Sequence, residues 1–402
     1  MSKANRPKIA FWFRYGPAEH AELFHAMPHV VEQLAQHAEV HYFGMRSKKT
    51  IPETIRQHAV IHELPFHVNR HSNRDKQIKA LFWLSAIPWM GRTCRRLGIQ
   101  AVYMDETIPL TAPLALRFFG PNVAMTIADF FVDIYFRGNP LARKTGAWIR
   151  RTDFAAWRRL PLIYTRAQTT KTFLSEHGIP ADVIHPVYDP CDFTVYHPMP
   201  GKARIKASFG FTPEQVVLVH HGILHPNKGN DWIIRNLARM RNTFPHLRYL
   251  LIGDGPDMPK LKTLVQDLHM EDTVKLTGWL PRLEDVNHAL NAGDIGLVMR
   301  VGHESDHFHM TGALVHSLAC GLPVLAARLG GIAEIVKEGA NGLLFDPTLP
   351  DEFTAKLGHL YGDASLRAQM GTHALQTARE SFDMQQVTEA TVQPLLKLLG
   401  HP

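Results

Sequence analysis

Short, fully apolar runs alternate with longer stretches of helical periodicity along the whole chain. In the first half the predicted strands are Ile9–Phe13, Val40–Phe43, Val60–Leu64, Ala101–Met104, Val123–Ile127 and Leu162–Thr165. In the second half they are Val216–His220, Tyr249–Ile252, Val274–Leu276, Ile295–Met299, Pro323–Ala326 and Leu343–Phe345. Apolar strands separated by helices are typical of parallel sheets covered on both faces. The pattern therefore predicts the α/β class, with doubly wound, Rossmann-like sheets.

This rhythm is interrupted at YHPMPGKARIKASFGFTP (196–213), a stretch rich in proline, glycine and basic residues. A chain of 402 residues also exceeds what one hydrophobic core usually supports. We predict a Rossmann-like domain over residues 1–200 and a second over 201–378. The amphipathic tail, residues 379–402, is predicted to be a helix that could pack back on the first domain. Because ligands bind at the carboxyl ends of the strands in such folds, a central cleft between the domains is the expected site.

Composition indicates an ordinary globular protein, with 45% hydrophobic and 20% charged residues. The cysteines Cys94, Cys191 and Cys320 have no paired spacing, which argues against a disulfide framework and a cysteine zinc site. The most membrane-like stretch, Ala80–Met90, is far shorter than the roughly 20 residues that span a bilayer. We expect a cytoplasmic protein, with peripheral attachment to the inner face of the membrane as an option.

Positive charge is concentrated in the first half of the chain. Residues 1–200 contain 25 Lys and Arg against 16 Asp and Glu, whereas residues 201–402 contain 19 against 21. The basic clusters Arg70–Lys79, Arg92–Arg96 and Arg143–Arg159 are interleaved with tryptophans. Such a mixture suits anionic headgroups. It would also suit nucleic acid, and a solvated face that binds nothing explains it equally well. Among partners we expect an anionic membrane surface and no nucleic acid.

Three strand-to-loop motifs lie in the second half. In VLVHHGILHPNKGNDW (217–232), a strand ends at Gly222, and the following loop places Lys228 where it could neutralise an anion beside backbone amides. LRYLLIGDGPD (247–257) ends in a turn at Gly253 but lacks the third glycine of a dinucleotide fingerprint. In VKLTGWLPRLEDV (274–286), the backbone and indole of Gly278–Leu280 could receive a planar base. An ordinary surface loop explains each motif about as well.

The segment GHESDHFHMTGALVHSLACG (302–321) is rich in histidine and first suggests a metal site. It has neither HExxH spacing nor cysteine partners, so no metal is assigned. Thr311 instead predicts an N-cap for a helix over Gly312–Ala319. The first-turn amides of this helix are expected to be unpaired and to face an anion: Gly312, Ala313 and Leu314. Glu334, on a later loop, could accept hydroxyl hydrogen bonds.

The ordered motifs HGILHPNKG, GDGPD, LTGWLP, ACGLPVLAARLGGIAEIV and GLLFDP resemble family-four glycosyltransferases of the GT-B fold. The resemblance is close over about residues 216–347. FWFRYGPAEH, MTIADFF and VIHPVYDPCDFTVYHP extend it more weakly to the acceptor loop, a central strand and the hinge. It implies transfer of a sugar from a nucleotide diphosphate sugar to a glycan, lipid-linked or other glycoconjugate acceptor. Retention of configuration, no cofactor and no essential metal are expected.

The resemblance also implies roles for particular residues. Lys228 would contact the donor diphosphate, the backbone of Gly278–Leu280 the base, and Thr311–Leu314 the phosphate or sugar. The remaining candidates on the donor side are Gly222, Gly253, Trp279, His303, Glu304, His316 and Glu334. Tyr15, Gly16 and Asp129 are candidates on the acceptor side. The catalytic candidates are Lys228 and Arg300, because a leaving phosphate needs stabilising cations, and Asp129 as a polar partner for the acceptor or sugar.

Four positions depart from the family pattern. Phe308 and His316 stand where the family often has two glutamates, Ile223 where an arginine is common, and Ala128 where a histidine is common. Arg300 could replace the arginine, and His316 could still meet ribose hydroxyls. These departures leave open a catalytically inactive nucleotide-sugar-binding or scaffold protein of the same fold. A metal-dependent hydrolase using the 303–309 loop and a nucleotide-sugar epimerase also remain as alternatives.

Overall fold

The structure is a computed structural model of the chain. It describes residues 6–13, 16–46, 49–64, 73–105, 108–127, 140–301, 304–308 and 310–400. The chain divides into two compact units. The first combines Met1–Pro190 with Met384–Pro402, and the second is Cys191–Asp383.

A sheet of seven strands forms the centre of the first unit. The strands are β1 Lys8–Trp12, β2 Glu39–Met45, β3 Ala59–Leu64, β4 Ala101–Asp105, β5 Val123–Ile127, β6 Leu162–Thr165 and β7 Ile184–Pro186. Their order is β3-β2-β1-β4-β5-β6-β7, and each described pair is parallel. Ile9 on β1 lies opposite Val40 on one side and Ala101 on the other. Strands so enclosed are almost wholly apolar because both of their faces are buried.

Helices cover this sheet at Pro17–Leu23, Met27–Ala35, Glu53–His58, Asn73–Leu97, Thr111–Phe119, Pro140–Trp157, Gln168–Glu176 and Met384–Leu398, and a 3₁₀ turn lies at Ala181–Val183. Met27–Ala35 buries Val30 and Leu34, spaced one helical turn apart, against β1 and β2. The C-terminal helix joins the same core through Val392 and Leu395. The Tyr164 hydroxyl also donates a 2.6 Å hydrogen bond to the carbonyl of Thr391.

Six parallel strands form the sheet of the second unit: β8 Val216–His221, β9 Leu247–Ile252, β10 Val274–Leu276, β11 Ile295–Val298, β12 Val324–Ala327 and β13 Gly342–Phe345. Their order is β10-β9-β8-β11-β12-β13. The helices are Lys202–Ser208, Asn230–Met240, Met258–Asp267, Leu283–Asn291, Gly312–Ala319, Gly330–Ala333, Pro350–Gly362 and Ala364–Ser381. Short 3₁₀ turns lie at Pro226–Lys228 and Glu304–Phe308.

The predicted fold class is confirmed: both units are α/β with doubly wound parallel sheets, and the chain ends in a helix. Each predicted strand overlaps an observed one, and the helix Gly312–Ala319 agrees residue for residue. Strand β7 was not predicted because it has three residues and ends in Pro186, which cannot donate to a ladder. The proline-rich stretch 196–213 lies inside the second unit, where the Asn291 amide donates to the carbonyl of His197.

In each sheet the first three strands are added toward one edge, and the fourth strand then pairs with the other side of the first. The direction in which strands are added therefore reverses between β1 and β4 in the first unit and between β8 and β11 in the second. In such sheets, ligands bind outside the carboxyl ends of the strands at this topological switch point. In the second unit the two strands are β8 and β11, which pair through Ile295 and Leu218. Among the described residues, no helix is long and apolar enough to cross a membrane.

Candidate functional site

Two loops meet at the carboxyl ends of β8 and β11. The loop after β8 turns at Gly222, whose φ of 131° favours glycine, and continues to the 3₁₀ turn that contains Lys228. The amide of Val301, just beyond β11, donates to the carbonyl of Asn227 at 3.0 Å. A Cβ at Gly229 would lie 3.1 Å from Met299 Cε, so the loops pack closely here. This packing places Lys228 beside Arg300.

Arg300 is buried and only partly satisfied. It is 8% exposed, and its Nη1 donates a 2.9 Å hydrogen bond to Oδ1 of Asp306, which is 2% exposed. Its Nε is buried and has no hydrogen-bond partner among the described residues. An unpaired buried donor is costly, so this nitrogen marks a place where a ligand acceptor would be favourable.

Lys228 is the second cation of this site. Within the described part of the chain, its Nζ has no hydrogen-bond or ion-pair partner. Burial, reinforced by the charge of Arg300, lowers the pKa of Lys228 to about 7, and Asp306 acts in the opposite direction. Asp306 is the carboxylate that forms an ion pair with Arg300. The two cations thus exceed the negative charge that the described residues supply, and an anion would balance them.

The N-terminus of the helix Gly312–Ala319 lies in the same unit and differs in one respect from the prediction. The Leu314 amide donates to both the carbonyl and the Oγ1 of Thr311, at 3.0 and 3.3 Å. The expectation that this amide is unpaired was therefore wrong, because an N-cap threonine satisfies it. The amides of Gly312 and Ala313 have no acceptor among the described residues, and Gly312 is exposed. Two amides, not three, are available to an anion.

A stack of three rings borders this helix. The His316 ring lies 3.7 Å from the Tyr196 ring at 7° and 5.0 Å from the His221 ring at 18°. His316 Nδ1 is 3.2 Å from His221 Nε2, which is also 3.3 Å from the Gly312 carbonyl oxygen. Burial lowers the pKa of His221 to about 4. His221 is therefore neutral near pH 7 and joins His316 to the first turn of the helix.

His220, one residue earlier on β8, is fully inside the sheet. Its Nδ1 lies 2.9 Å from the carbonyl oxygen of Leu297, while its Nε2 is buried with no partner among the described residues. Burial and the nearby charge of Lys228 lower the pKa of His220 to about 3. Sequence reasoning did not single out His220, His221, Tyr196 or Asp306. A pair of histidines at the carboxyl end of a buried strand was the available signal.

The glycines of the neighbouring loops serve loop packing. A Cβ at Gly253 would lie 2.1 Å from the Gly222 carbonyl oxygen, and one at Gly255 would lie 2.5 Å from that of Leu224. The Gly253 amide also donates to the carbonyl of Gly278 at 3.2 Å. The loops after β8, β9 and β10 are therefore held side by side by their backbones.

Beyond β10, the Gly278–Leu280 loop has an exposed tryptophan. Trp279 is 63% exposed, and Leu280 is half-buried. Ile223, on the loop after β8, is 45% exposed. The edge of the sheet beside Lys228 thus presents apolar surface to solvent, with an indole large enough to cover one face of a planar group.

The other predicted residues are placed as follows. Glu334 is half-buried at the C-terminus of Gly330–Ala333, and the Gly330 amide donates to His307 Nδ1 at 3.4 Å. Phe308 is buried, which fits a packing side chain at this position. Gly16 caps the helix Pro17–Leu23 in the first unit. Tyr15, Ala128, Asp129 and His303 lie outside the described residues, as does the side chain of Glu304.

Among the residues that the structure describes, no group of three or more His, Cys, Asp or Glu side chains could hold a metal ion. His303 and His309 of the 303–309 loop lie outside the described residues.

Comparison with known proteins agrees with this geometry. Residues 215–363 match the family model of glycosyl transferases group 1. The N-acetyl-alpha-D-glucosaminyl L-malate synthase of Bacillus anthracis is 26% identical over 345 residues, covering 82% of this chain and 86% of that protein. The GDP-mannose-dependent alpha-(1-6)-phosphatidylinositol monomannoside mannosyltransferase of Mycolicibacterium smegmatis is 28% identical over 255 residues, covering 58% and 66%. Matches to several D-inositol 3-phosphate glycosyltransferases span about half of those proteins' length.

Solved structures give the same fold. Anabaena HepE in complex with UDP superposes with a TM-score of 0.73 at 20% identity, covering 97% of this chain and 100% of that one. Sucrose-phosphate synthase from Thermosynechococcus elongatus superposes with a TM-score of 0.76 at 15% identity, covering 98% and 100%.

The motif-based resemblance is therefore confirmed. Residues 215–363 match the glycosyl transferases group 1 family model. The whole chain has the fold of GT-B proteins and is similar in sequence to glycosyltransferases.

Proposed function

We propose that this protein transfers a sugar from a nucleotide diphosphate sugar to a glycan, lipid-linked or other glycoconjugate acceptor. The observation that carries the proposal is the pair of cations at the switch point between β8 and β11, half-buried Lys228 and buried Arg300. A diphosphate would supply the anion that this pair lacks. HepE, which shares the fold, binds UDP and UDP-glucose, and this supports the same class of donor.

In the proposed reaction, negative charge develops on the leaving phosphate as the bond to the anomeric carbon breaks. Lys228 and Arg300 stabilise that charge at a site partly withdrawn from solvent, where their effect is greater than in bulk water. The amides of Gly312 and Ala313 add two backbone donors. Because the protein's own cations take this role, the proposed mechanism uses no essential metal. Retention of configuration is part of the proposal and follows from the family resemblance.

The remaining residues are proposed to position the substrates. The backbone of Gly278–Leu280 and the indole of Trp279 would hold the base, while Gly222 and Gly253 shape the loops beside it. Hydroxyls of the ribose and the donor sugar would meet His303, Glu304, His316 and Glu334. The proposed acceptor-side residues are Tyr15, Gly16 and Asp129, with Asp129 as a polar partner for the acceptor hydroxyl.

We further propose a cytoplasmic location with peripheral attachment to the inner face of a membrane. A lipid-linked acceptor would be presented at that surface. The support for attachment is the excess of Lys and Arg over Asp and Glu in residues 1–200, 25 against 16. Nucleic acid is not among the proposed partners.

The test is a screen of the purified chain against UDP-, GDP- and other nucleotide sugars. A bound donor raises the melting temperature by mass action, and release of nucleoside diphosphate measures turnover. We expect at least one donor to do both. Lys228→Met should weaken the thermal shift and slow turnover by roughly 10²–10³-fold. Lys262→Met, a matched change of an exposed lysine, should change neither response. If no donor binds and none is hydrolysed, the proposed activity is wrong.

A second candidate is a nucleotide-sugar-binding protein without transfer activity. It is favoured by Ile223 and Phe308, which are apolar where the family commonly has charged residues. Ile223 is 45% exposed beside the site, so it occupies that place without supplying charge. Donor binding without turnover, in the presence of lipid and glycan extracts, would support this candidate over the first.

A further inference from the structure

Three helices of the first unit form a layer that has no part in the donor site. Asn73–Leu97, Thr111–Phe119 and Pro140–Trp157 follow β3, β4 and β5 in the chain, and the middle helix packs against both of its neighbours. Trp83 Nε1, on the first helix, donates to Thr111 Oγ1 on the second at 3.2 Å. We call these helices the basic helix layer.

The layer has charge of one sign on its outer surface. Its described side chains lie in residues 83–97, 111–119 and 143–159. The basic residues there are exposed or half-buried: Arg92, Arg95, Arg96, Arg117, Arg143, Lys144, Arg150, Arg151, Arg158 and Arg159. The one acid in these ranges, Asp153, is 1% exposed and accepts a hydrogen bond from the Leu110 amide at 2.9 Å. The outward surface of these ranges therefore carries positive charge alone.

Several of these arginines lack internal partners. Within the described residues, no hydrogen bond or ion pair is formed by the side chains of Arg92, Arg96, Arg117, Arg151 and Arg159. Ordinary protein surfaces intersperse charges of both signs, and a large field of one sign attracts ligands of the opposite sign. The missing negative charge is thus expected to come from another molecule.

The helix Pro140–Trp157 combines this charge with apolar surface. Lys144, Trp148, Arg151, Ala155 and Arg159 are exposed at intervals of three or four residues, so they lie along one side of the helix and its end. Trp148 is 60% exposed. A groove of about 510 Å³ runs beside it, lined by Pro113, Trp148, Arg151, Thr152, Ala155 and Arg159.

The first helix repeats the pattern. Trp89 is 43% exposed and is followed on the same side by Arg92 and Arg96, three and seven residues further on. An exposed indole flanked by arginines suits the boundary between lipid headgroups and acyl chains, because the ring enters the boundary and the cations meet phosphates.

We propose that the basic helix layer docks this protein on a bilayer that contains anionic phospholipids. Trp89 and Trp148 enter the headgroup region, the arginines contact lipid phosphates, and the groove beside Trp148 receives one headgroup. The proposal rests on the proposed function only for its purpose, which is to bring the protein to a lipid-linked acceptor. Docking itself needs no donor and no catalysis.

The test uses the full chain and sedimentation with vesicles of phosphatidylcholine alone or with about 30% phosphatidylglycerol. We expect binding to the anionic vesicles that weakens as salt is added. Each arginine near such a surface strengthens partitioning by roughly fivefold. The double variant Arg151→Gln with Arg159→Gln should therefore bind about 25-fold more weakly. Trp148→Ala should also weaken binding, and Trp148→Phe should weaken it less.

The matched control is the double variant Arg204→Gln with Arg241→Gln, which removes the same charge from exposed positions of the second unit. It should bind vesicles like the unchanged protein. If both double variants lost the same amount of vesicle binding, net charge alone would explain the loss, and the proposed docking surface would be wrong. Failure of the unchanged protein to prefer anionic vesicles would do the same. Stronger binding to duplex DNA than to vesicles at equal salt, lost in the Arg151 and Arg159 variant, would assign the surface to nucleic acid instead.

Two further readouts separate this proposal from the proposed function. Melting temperatures of all variants should match the unchanged protein, because the substituted side chains are exposed. Donor-induced thermal shifts should also be unchanged in each. Binding to anionic vesicles without binding to any nucleotide sugar would support the docking surface and contradict the proposed activity. Binding to a nucleotide sugar without binding to anionic vesicles would contradict only the docking surface.

Discussion

The two units share a strand order but hold their positive charge in opposite ways. In the first unit the basic helix layer points its arginines outward, and its one described acid, Asp153, is buried. In the second unit Arg300 is buried and Lys228 is half-buried, and burial lowers the pKa of the lysine to about 7. Exposed cations attract an anionic partner through their summed charge, and salt screens that attraction. For cations withdrawn from solvent, burial and neighbouring charges set the pKa of each group individually. The same residue types therefore suit a diffuse surface in one unit and a local site in the other.

The largest expected effect comes from removing the partner of a buried cation. Asp306→Asn should lower the free energy of unfolding of the second unit by about 3–5 kcal/mol, because it leaves Arg300 buried without its counter-charge. Chemical denaturation measures this loss. In the first unit, Arg151→Gln should change stability by less than about 0.5 kcal/mol. Equal effects of the two substitutions would remove the contrast between buried and exposed charge.

Catalysis should depend almost as strongly on Lys228. Lys228→Met is expected to slow donor turnover by roughly 10²–10³-fold, the usual cost of losing one donor to a developing charge. It should not destabilise the fold, since the lysine has no partner among the described residues and its charge is disfavoured by burial. Initial rates and melting temperatures measure the two effects. A rate within threefold of the unchanged protein would exclude Lys228 from the reaction.

Lowering the pH should change the stability of the two units in opposite directions. His220 and His221 have pKa values of about 3 and 4, below those in the unfolded chain. The unfolded state therefore binds more protons below pH 6.5, and the second unit loses stability as pH falls. Burial raises the pKa of Asp153 to about 7, so the first unit loses stability as pH rises from 4 to 7.

Hydrogen exchange resolved to each unit, between pH 5 and 6.5, would measure this difference. His220→Gln should remove about 2 kcal/mol of the acid sensitivity of the second unit across that range. Asp153→Asn should flatten the response of the first unit and leave that of the second unchanged. Parallel pH responses in the two units would contradict the burial of these groups.

The smallest expected effect is on donor affinity above neutral pH. Lys228 must be protonated to attract a diphosphate, and its pKa in the free protein is about 7. Above pH 7, where the terminal phosphate of a nucleoside diphosphate keeps its charge, affinity should therefore weaken by up to about tenfold per pH unit. Titration calorimetry with the nucleoside diphosphate measures this dependence. Lys228→Arg should abolish the dependence, since an arginine stays charged throughout this range.

Local pattern was enough to predict most of the fold. Buried parallel strands are apolar along their whole length, and a helix start such as Thr311 requires only neighbouring residues. The same reasoning failed for the Leu314 amide, because it counted the open end of the helix without the second acceptor that the Thr311 side chain provides. Strand β7 was missed because three residues ending in proline carry too little pattern.

The candidate site was predicted only in part. Lys228 was found from its strand-to-loop motif and Arg300 through the family resemblance, but Asp306, His220, His221 and Tyr196 were not found. Their importance depends on which side chains meet and how deeply they are buried. Tyr196 and His316, for instance, are 120 positions apart in sequence, yet their rings stack at 3.7 Å. Periodicity carries no information about such a contact.

The sequence by itself determined the class of fold, the order of its elements and the family of its second unit, because these follow from local patterns and ordered motifs. Only the tertiary structure decided that β8 lies beside β11, which brings Lys228 to Arg300 and Asp306. It also decided that Asp153 turns inward while the arginines around it turn outward. The physical reason is that charge acquires its function from burial and from its neighbours, and both are set when distant parts of the chain pack together.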